Sequence, residues 1–261
     1  MQTIRITLIG AGHLATRLGL ALKGAGHEFV QVYSRTMESA STLASLLDAE
    51  ATIEPLSIRP DAQLYICAVK DDALDSILKK LAIGSGVLVH TAGSLPLNIL
   101  LSCSQKVGVF YPMQTFNKNK EVDFESIPIY IEAQNPEVAN FLVALANQLS
   151  TKVQVVDGSK RLNLHIAAVF ACNFVNHLYT ISYDLMTQNQ LHFSDLLPLI
   201  RETAEKLTTL TPDKAQTGPA VRMDKAVIDS HLEQLQAYPD WQNLYEILSQ
   251  GIYKRQTLSE Q

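Results

Sequence analysis

The feature that most constrains this chain is Gly10-Ala11-Gly12-His13-Leu14-Ala15, a G-x-G-x-x-A run between an apolar strand at residues 4–9 and a helix at 14–23. Gly10 permits a tight turn, and Gly12 lets the backbone approach a pyrophosphate with no Cβ in the way. Ala15 is small enough for the helix to pack close on the sheet. The free N–H groups and positive dipole end of that helix then face an anion. Glycine turns are common, so the run alone says little. Here it lies inside a strand–helix–strand unit, with a second strand at 29–33, and it predicts a dinucleotide site. The bland alternative is a sheet that kept the turn without the ligand.

The end of the second strand selects between cofactors. An NAD site usually places Asp or Glu there to accept from the ribose 2′-OH. This chain has Tyr33-Ser34-Arg35-Thr36 instead. Ser34 and Thr36 can donate to a 2′-phosphate, and Arg35 can form charge-assisted bonds to it or stack on adenine. NADP(H) is therefore the expected cofactor, with Ala11, His13 and Leu14 beside the glycines; the alternative is an ordinary surface Arg.

Strand and helix signals alternate as far as residue 156, which implies parallel strands joined by right-handed crossovers, a doubly wound α/β sheet. Beyond residue 157 the pattern is helical throughout, so the expected domains are 1–157 (α/β, cofactor-binding) and 158–261 (all-α). Helices are expected over 162–186, from Ser194 as N-cap over 195–210, and from Pro219 as first helical residue. Net charge is −5, and no Lys/Arg cluster points to nucleic acid or an anionic membrane surface. Cys67, Cys103 and Cys172 are odd in number and widely spaced, giving neither a disulfide framework nor a metal site. With no signal-peptide pattern and no run of 18 apolar residues, the expectation is a cytoplasmic protein outside the membrane.

Ligands of open α/β sheets bind beyond the carboxyl ends of the strands. Three later loops qualify: Ala68-Val69-Lys70-Asp71-Asp72, His90-Thr91-Ala92-Gly93-Ser94 and Tyr111-Pro112-Met113-Gln114. Val69, Lys70, Ala92 and Gly93 are candidate cofactor contacts, and Ser94 and Gln114 candidate substrate contacts. Equally, Asp71 or Asp72 can cap the next helix and Gly93-Ser94 can be a plain turn. In the long helix, Arg161, His165, Cys172 and Asn176 share a face at about 100° per residue, with Asn173 roughly 60° further round. Such polar groups on an apolar helix either satisfy one another and nearby backbone or line a cleft, where Arg161 and Asn176 are candidate substrate contacts. His165 can supply the proton that accompanies hydride transfer. Arg222 can bind a substrate carboxylate or pair with a neighbouring acid.

With these residues named, the chain resembles a bacterial family of NADP oxidoreductases that joins a Rossmann-like domain to a helical C-terminal domain of unknown function. The resemblance rests on residues 10–15, on Tyr111-Pro112-Met113-Gln114-Thr115-Phe116, on Arg161, His165 and Asn173, and on Gly218-Pro219-Ala220-x-Arg222-x-Asp224 followed by His231-Leu232. More distantly it is similar to pyrroline-5-carboxylate reductases and β-hydroxyacid dehydrogenases. The resemblance implies cofactor binding by Gly10, Gly12, Ser34 and Arg35, catalytic or substrate-site roles for His165 and Asn173, and a homodimer formed through the helical domain. It implies hydride transfer between NADPH and a small C=O or C=N substrate in an interdomain cleft. The competing function is a non-catalytic module that senses NADP(H) and signals through its helices. Two departures stand out: relatives carry His where this chain has Tyr111, and the lysine–asparagine pattern of the dehydrogenases does not map onto Lys160 and Asn163.

Overall fold

The computed structural model describes residues 2–259. Its organising element is one eight-stranded sheet of order β3-β2-β1-β4-β5-β6-β7-β8. The strands are β1 (Arg5–Ile9), β2 (Glu28–Tyr33), β3 (Glu50–Thr52), β4 (Leu64–Cys67), β5 (Val87–His90), β6 (Val107–Pro112), β7 (Ile129–Ala133) and β8 (Val153–Val155). The central strands are apolar on both faces and bury almost every residue, as a sheet covered by helices on two sides requires. Separate apolar clusters pack on the two faces, one around Leu8, Leu18 and Leu47, the other around Tyr65, Leu74 and Leu100.

β1 to β6 run parallel, as the alternation of strands and helices predicts, but β7 pairs antiparallel with β6. The physical reason is the connection at 113–128. Its regular structure is a single 3₁₀ turn, Phe124–Ser126, with none of the helix that usually carries a parallel crossover. β3 escapes the sequence pattern because Glu50-Ala51-Thr52 is short and polar.

Helices α1 (His13–Gly24), α2 (Met37–Leu47), α3 (Asp71–Leu78) and α4 (Pro136–Ala146) accompany the sheet. The chain divides into two compact units, Met1–Asn173 and Phe174–Gln261. Strands end at Val155, yet the compact division falls later. Helix α5 (Gly158–Ala168) belongs with the sheet because Arg161 anchors it there.

The long helix is not uniform. A π segment, Val169–Phe174, separates α5 from α6 (Val175–Gln188). By length and composition alone, Gly158–Gln188 is apolar enough to cross a membrane, with a mean hydropathy of 1.3 in its best window, and none of that window is buried.

The second unit continues with α7 (Leu197–Glu205), α8 (Pro212–Ala215), α9 (Lys225–Gln234) and α10 (Pro239–Ser259). Two expected starts move. Ser194 sits in a 3₁₀ turn, Phe193–Leu196, and α7 begins only at Leu197, where Pro198 fits a first turn that needs no N–H from it. The helix expected from Pro219 starts at Lys225. Met223 is left-handed at φ 48°, which breaks the run, and the Asp224 side chain accepts from Val227 N–H as the cap. Among the described residues of this unit, Ala220 and Ile228 are the buried apolar side chains. Phe174, Tyr183, Leu199, Leu207 and Ile247 are exposed.

Candidate functional site

At the carboxyl edge of the sheet the strand order reverses between β1 and β4, where open α/β sheets receive ligands. A cavity of about 440 Å³ opens there. Gly10, Ala11, Gly12, His13, Leu14, Ser34, Arg35, Val69 and Lys70 all line it, so nine expected cofactor residues converge. Sequence reasoning missed Ser39, Ala73 and Ile77, which also line it and carry no motif, while Ala68 lies in one of the expected ligand loops.

The phosphate turn is built for close approach. Gly10 has φ 121°, and a Cβ on it would stand 2.3 Å from the Ala68 carbonyl oxygen, so no other residue fits. A Cβ on Gly12 would meet nothing within 4 Å, so the space above Gly12 is open. Gly12 precedes α1 without a side-chain cap, and the first turn carries no acidic residue. The N–H groups of that turn are left for an anion. These features fit a dinucleotide pyrophosphate. One expected contact is corrected: Thr36 caps α2, its hydroxyl oxygen accepting from Ser39 N–H at 3.3 Å, and it does not line the cavity.

The same turn is strapped to the segment that joins β6 to β7. His13 Nδ1 accepts from Lys118 N–H at 2.8 Å. One helical turn on, Arg17 donates to the carbonyls of Asn117 and Lys118 at 3.2 and 2.6 Å. Neither Arg17 nor Lys118 was a candidate, although the i,i+4 spacing of His13 and Arg17 puts both on one face of α1.

Beyond β5 and β6 lies a second cluster. Arg161 is 1% exposed, and its donors are fully engaged. Nε and Nη2 donate to Glu132 Oε2 at 3.1 and 2.9 Å, Nη1 to the Ala92 and Gly93 carbonyls at 2.9 and 2.7 Å, and Nη2 to the Leu95 carbonyl at 2.6 Å. A guanidinium has five N–H groups, so none remains for a substrate. Arg161 is a scaffold, which corrects its reading as a substrate contact. Ala92 is likewise withdrawn from cofactor binding: its N–H donates to His90 Nδ1 at 3.2 Å while its carbonyl takes Arg161. Gly93 lies under His165, where a Cβ would come within 2.5 Å of Nδ1. Ser94 donates to the Asp71 carboxylate. Gln114 turns back to accept from Thr115 N–H at 2.8 Å.

His165 is half-buried, with Nδ1 3.3 Å from the Tyr111 hydroxyl. The π segment changes which residues share its line. One α turn followed by one π turn advances about eight residues, the separation of His165 and Asn173. Asn173, exposed and inside the π segment, is thus carried onto the His165 line, whereas Cys172 swings away from it. Asn176 and Arg222 lie in the second unit, both exposed. There His231 Nδ1 pairs with the Tyr245 hydroxyl at 2.8 Å.

Residues 1–113 match the family model described as a Rossmann-like domain, and residues 127–252 that described as a domain of unknown function (DUF2520). A crystal structure from Bacteroides fragilis, provisionally named an NADP oxidoreductase, is 47% identical over 97% of this chain and 98% of its own, at a TM-score of 0.91. The chain belongs to this Rossmann–DUF2520 family. A Thermotoga maritima protein shares 20% identity over 98% of this chain and 100% of its own, at a TM-score of 0.74. A 1-pyrroline-5-carboxylate reductase from Streptococcus pyogenes shares 14% over 97% and 99%, at 0.62, a likeness of fold. Comparison with curated proteins returns no match.

Two outcomes follow from the Arg161 cluster. Arg161→Lys removes the fork that binds Glu132 and three carbonyls together, and the first unit should lose about 3–5 kcal/mol in urea unfolding. His90 is buried at the end of β5, and burial, then the nearby guanidinium of Arg161, lowers its pKa from 6.5 to about 4. The unfolded chain therefore binds a proton that the folded chain refuses, so stability should fall as pH drops from about 6.5 towards 4 and lose this dependence below. Urea midpoints taken across that range should show the slope, and His90→Gln should flatten it.

Proposed function

We propose that the chain is an NADP(H)-dependent oxidoreductase acting on a small C=O or C=N compound. The observation that carries the reading is the cavity at the sheet reversal, where Arg35 and Ser34 occupy the end of β2 and the lining holds no carboxylate. A 2′-hydroxyl calls for an acceptor at that place, and a 2′-phosphate calls for donors and positive charge. The provisional name of the Bacteroides fragilis relative agrees with it.

Bound there, a nicotinamide dinucleotide supplies or takes up hydride. The chain's own groups do the rest. The first turn of α1 holds the pyrophosphate with backbone N–H groups, and Arg35 fixes the adenosine end. Lys70, exposed beyond β4, adds positive charge on the same side. Val69 packs along the cofactor. His165 and Asn173 share one helix line and serve the substrate: His165 offers a hydrogen to the oxygen or nitrogen that gains charge as hydride arrives, and Asn173 orients it.

The test is a panel of ketones, keto acids and imines with NADPH, followed at 340 nm. Oxidation of NADPH by one class, lost in His165→Gln with NADPH binding kept, supports the reading. Tight NADPH binding with no turnover, but with ligand-dependent association with another protein, favours a sensor instead. In either case Arg35→Ala should weaken NADPH binding roughly 10–100-fold and change NADH binding little, as fluorescence titration would measure.

We also propose that the second unit pairs with a second copy of the chain. Its exposed side chains, Phe174, Tyr183, Leu199, Leu207 and Ile247, lie on several helices around a sparse core, as in half of an obligate homodimer. Sedimentation equilibrium should return twice the 28.8 kDa chain mass at micromolar concentration. A monomer, or partition of the chain into lipid vesicles, would overturn this.

A further inference from the structure

The contact between Tyr111 and His165 has a direction that bears on the substrate. Tyr111 closes β6, is 8% exposed, and meets the His165 ring edge-on at a centroid distance of 6.2 Å. Its hydroxyl stands 3.3 Å from His165 Nδ1, and among the described residues neither atom has another hydrogen-bond partner. The carbonyls of Ala92, Gly93 and Leu95 each accept from Arg161. Gly93 leaves the room that the ring occupies, since a Cβ there would stand 2.5 Å from Nδ1.

Two arrangements of hydrogens satisfy the distance. If Nδ1 carried the hydrogen and donated to Tyr111, the part-buried phenolic hydrogen would have no acceptor among the described residues. If Tyr111 donates to the Nδ1 lone pair, both groups are satisfied. Burial raises the Tyr111 pKa above 10.0, against a smaller opposing pull from Arg161, so the phenol keeps its proton through the neutral range.

We propose that Tyr111 is a positioning residue whose hydroxyl donates to His165 Nδ1 and so presents Nε2–H to the substrate. The chemical consequence rests on the oxidoreductase reading above. A fixed Nε2–H needs an atom with a free lone pair opposite it. The site then takes a neutral carbonyl oxygen or a neutral imine nitrogen, and it opposes an iminium ion, whose nitrogen carries hydrogen and positive charge and has no lone pair to offer. As hydride adds to the carbon, the electron pair of the double bond moves to that oxygen or nitrogen, where the Nε2–H bond stabilises it.

The test reads the imidazole directly in the full chain labelled with ¹⁵N-histidine, by two-bond ¹H–¹⁵N correlation, with His165 assigned from its loss in His165→Gln. The wild type should show one neutral tautomer, hydrogen on Nε2, with the Nδ1 signal shifted as a hydrogen-bond acceptor. In Tyr111→Phe that shift should be lost and the Nδ1–H tautomer should become detectable. Hydrogen on Nδ1 in the wild type overturns the proposal without any variant, and an unchanged Nδ1 signal in Tyr111→Phe overturns it as well. Neither readout needs turnover, so failure of the substrate panel would remove the oxidoreductase reading and leave the hydrogen-bond assignment standing. In that panel, N-alkyl iminium salts reduced as fast as the matching ketones or neutral imines would overturn the stated preference.

Discussion

The cluster beyond β5 and β6 hangs on the buried guanidinium of Arg161. It reaches Glu132 on β7 and three successive-loop carbonyls after β5, and it sits one turn into α5 behind the Asp157 cap. A buried charge without partners would be prohibitive, so the loop carbonyls and the Glu132 carboxylate must all turn towards it. That demand shapes the neighbours. Gly158 leaves room for Glu132, whose oxygens would lie 3.2 and 3.4 Å from a Cβ there, and Gly93 leaves room for His165. One cation thus sets the path of the β5 loop, the seat of α5 and the place of the imidazole.

Two clusters of different construction result. The cavity over β1 and β4 is made from backbone and open space, with Gly10 pressed on the Ala68 carbonyl and Gly12 facing nothing. The cluster around His165 is made from side chains locked by other side chains. The first suits an extended anionic ligand held by N–H groups; the second suits a small group met by one oriented donor. The π segment adds to this by bringing Asn173 into register with His165 within the same helix. π turns cost helix stability and are found mostly where function repays them.

Much of the first unit was legible because its signals are local. The apolar runs of β1, β4 and β5, the glycine turn and the residues Ser34-Arg35 each declare themselves within a few positions. What was not legible depended on distant partners. Arg161 read as one of a polar stripe either lining a cleft or satisfied locally, since nothing near it in sequence announces the carbonyls of Ala92, Gly93 and Leu95. Thr36 read as a phosphate donor because its role as a cap depends on where α2 begins. Tyr111 was noticed only as a departure from relatives, and its bond to His165 crosses 54 positions. The helical wheel misplaced Asn173 because it assumed a uniform 100° step, which a π turn breaks. The antiparallel β7 was missed because strand direction is written in the connection at 113–128 and not in the strand.

The strap between the phosphate turn and residues 117 and 118 has a bearing on how the molecule is made. The partners of His13 and Arg17 lie 105 and 101 positions later in the chain. At ordinary synthesis rates that interval is roughly 5–20 s. During it the nascent chain holds a glycine turn and a helix whose outer contacts do not yet exist. The glycine turn therefore reaches its final form only after residues 117 and 118, about a hundred positions behind it, have been made.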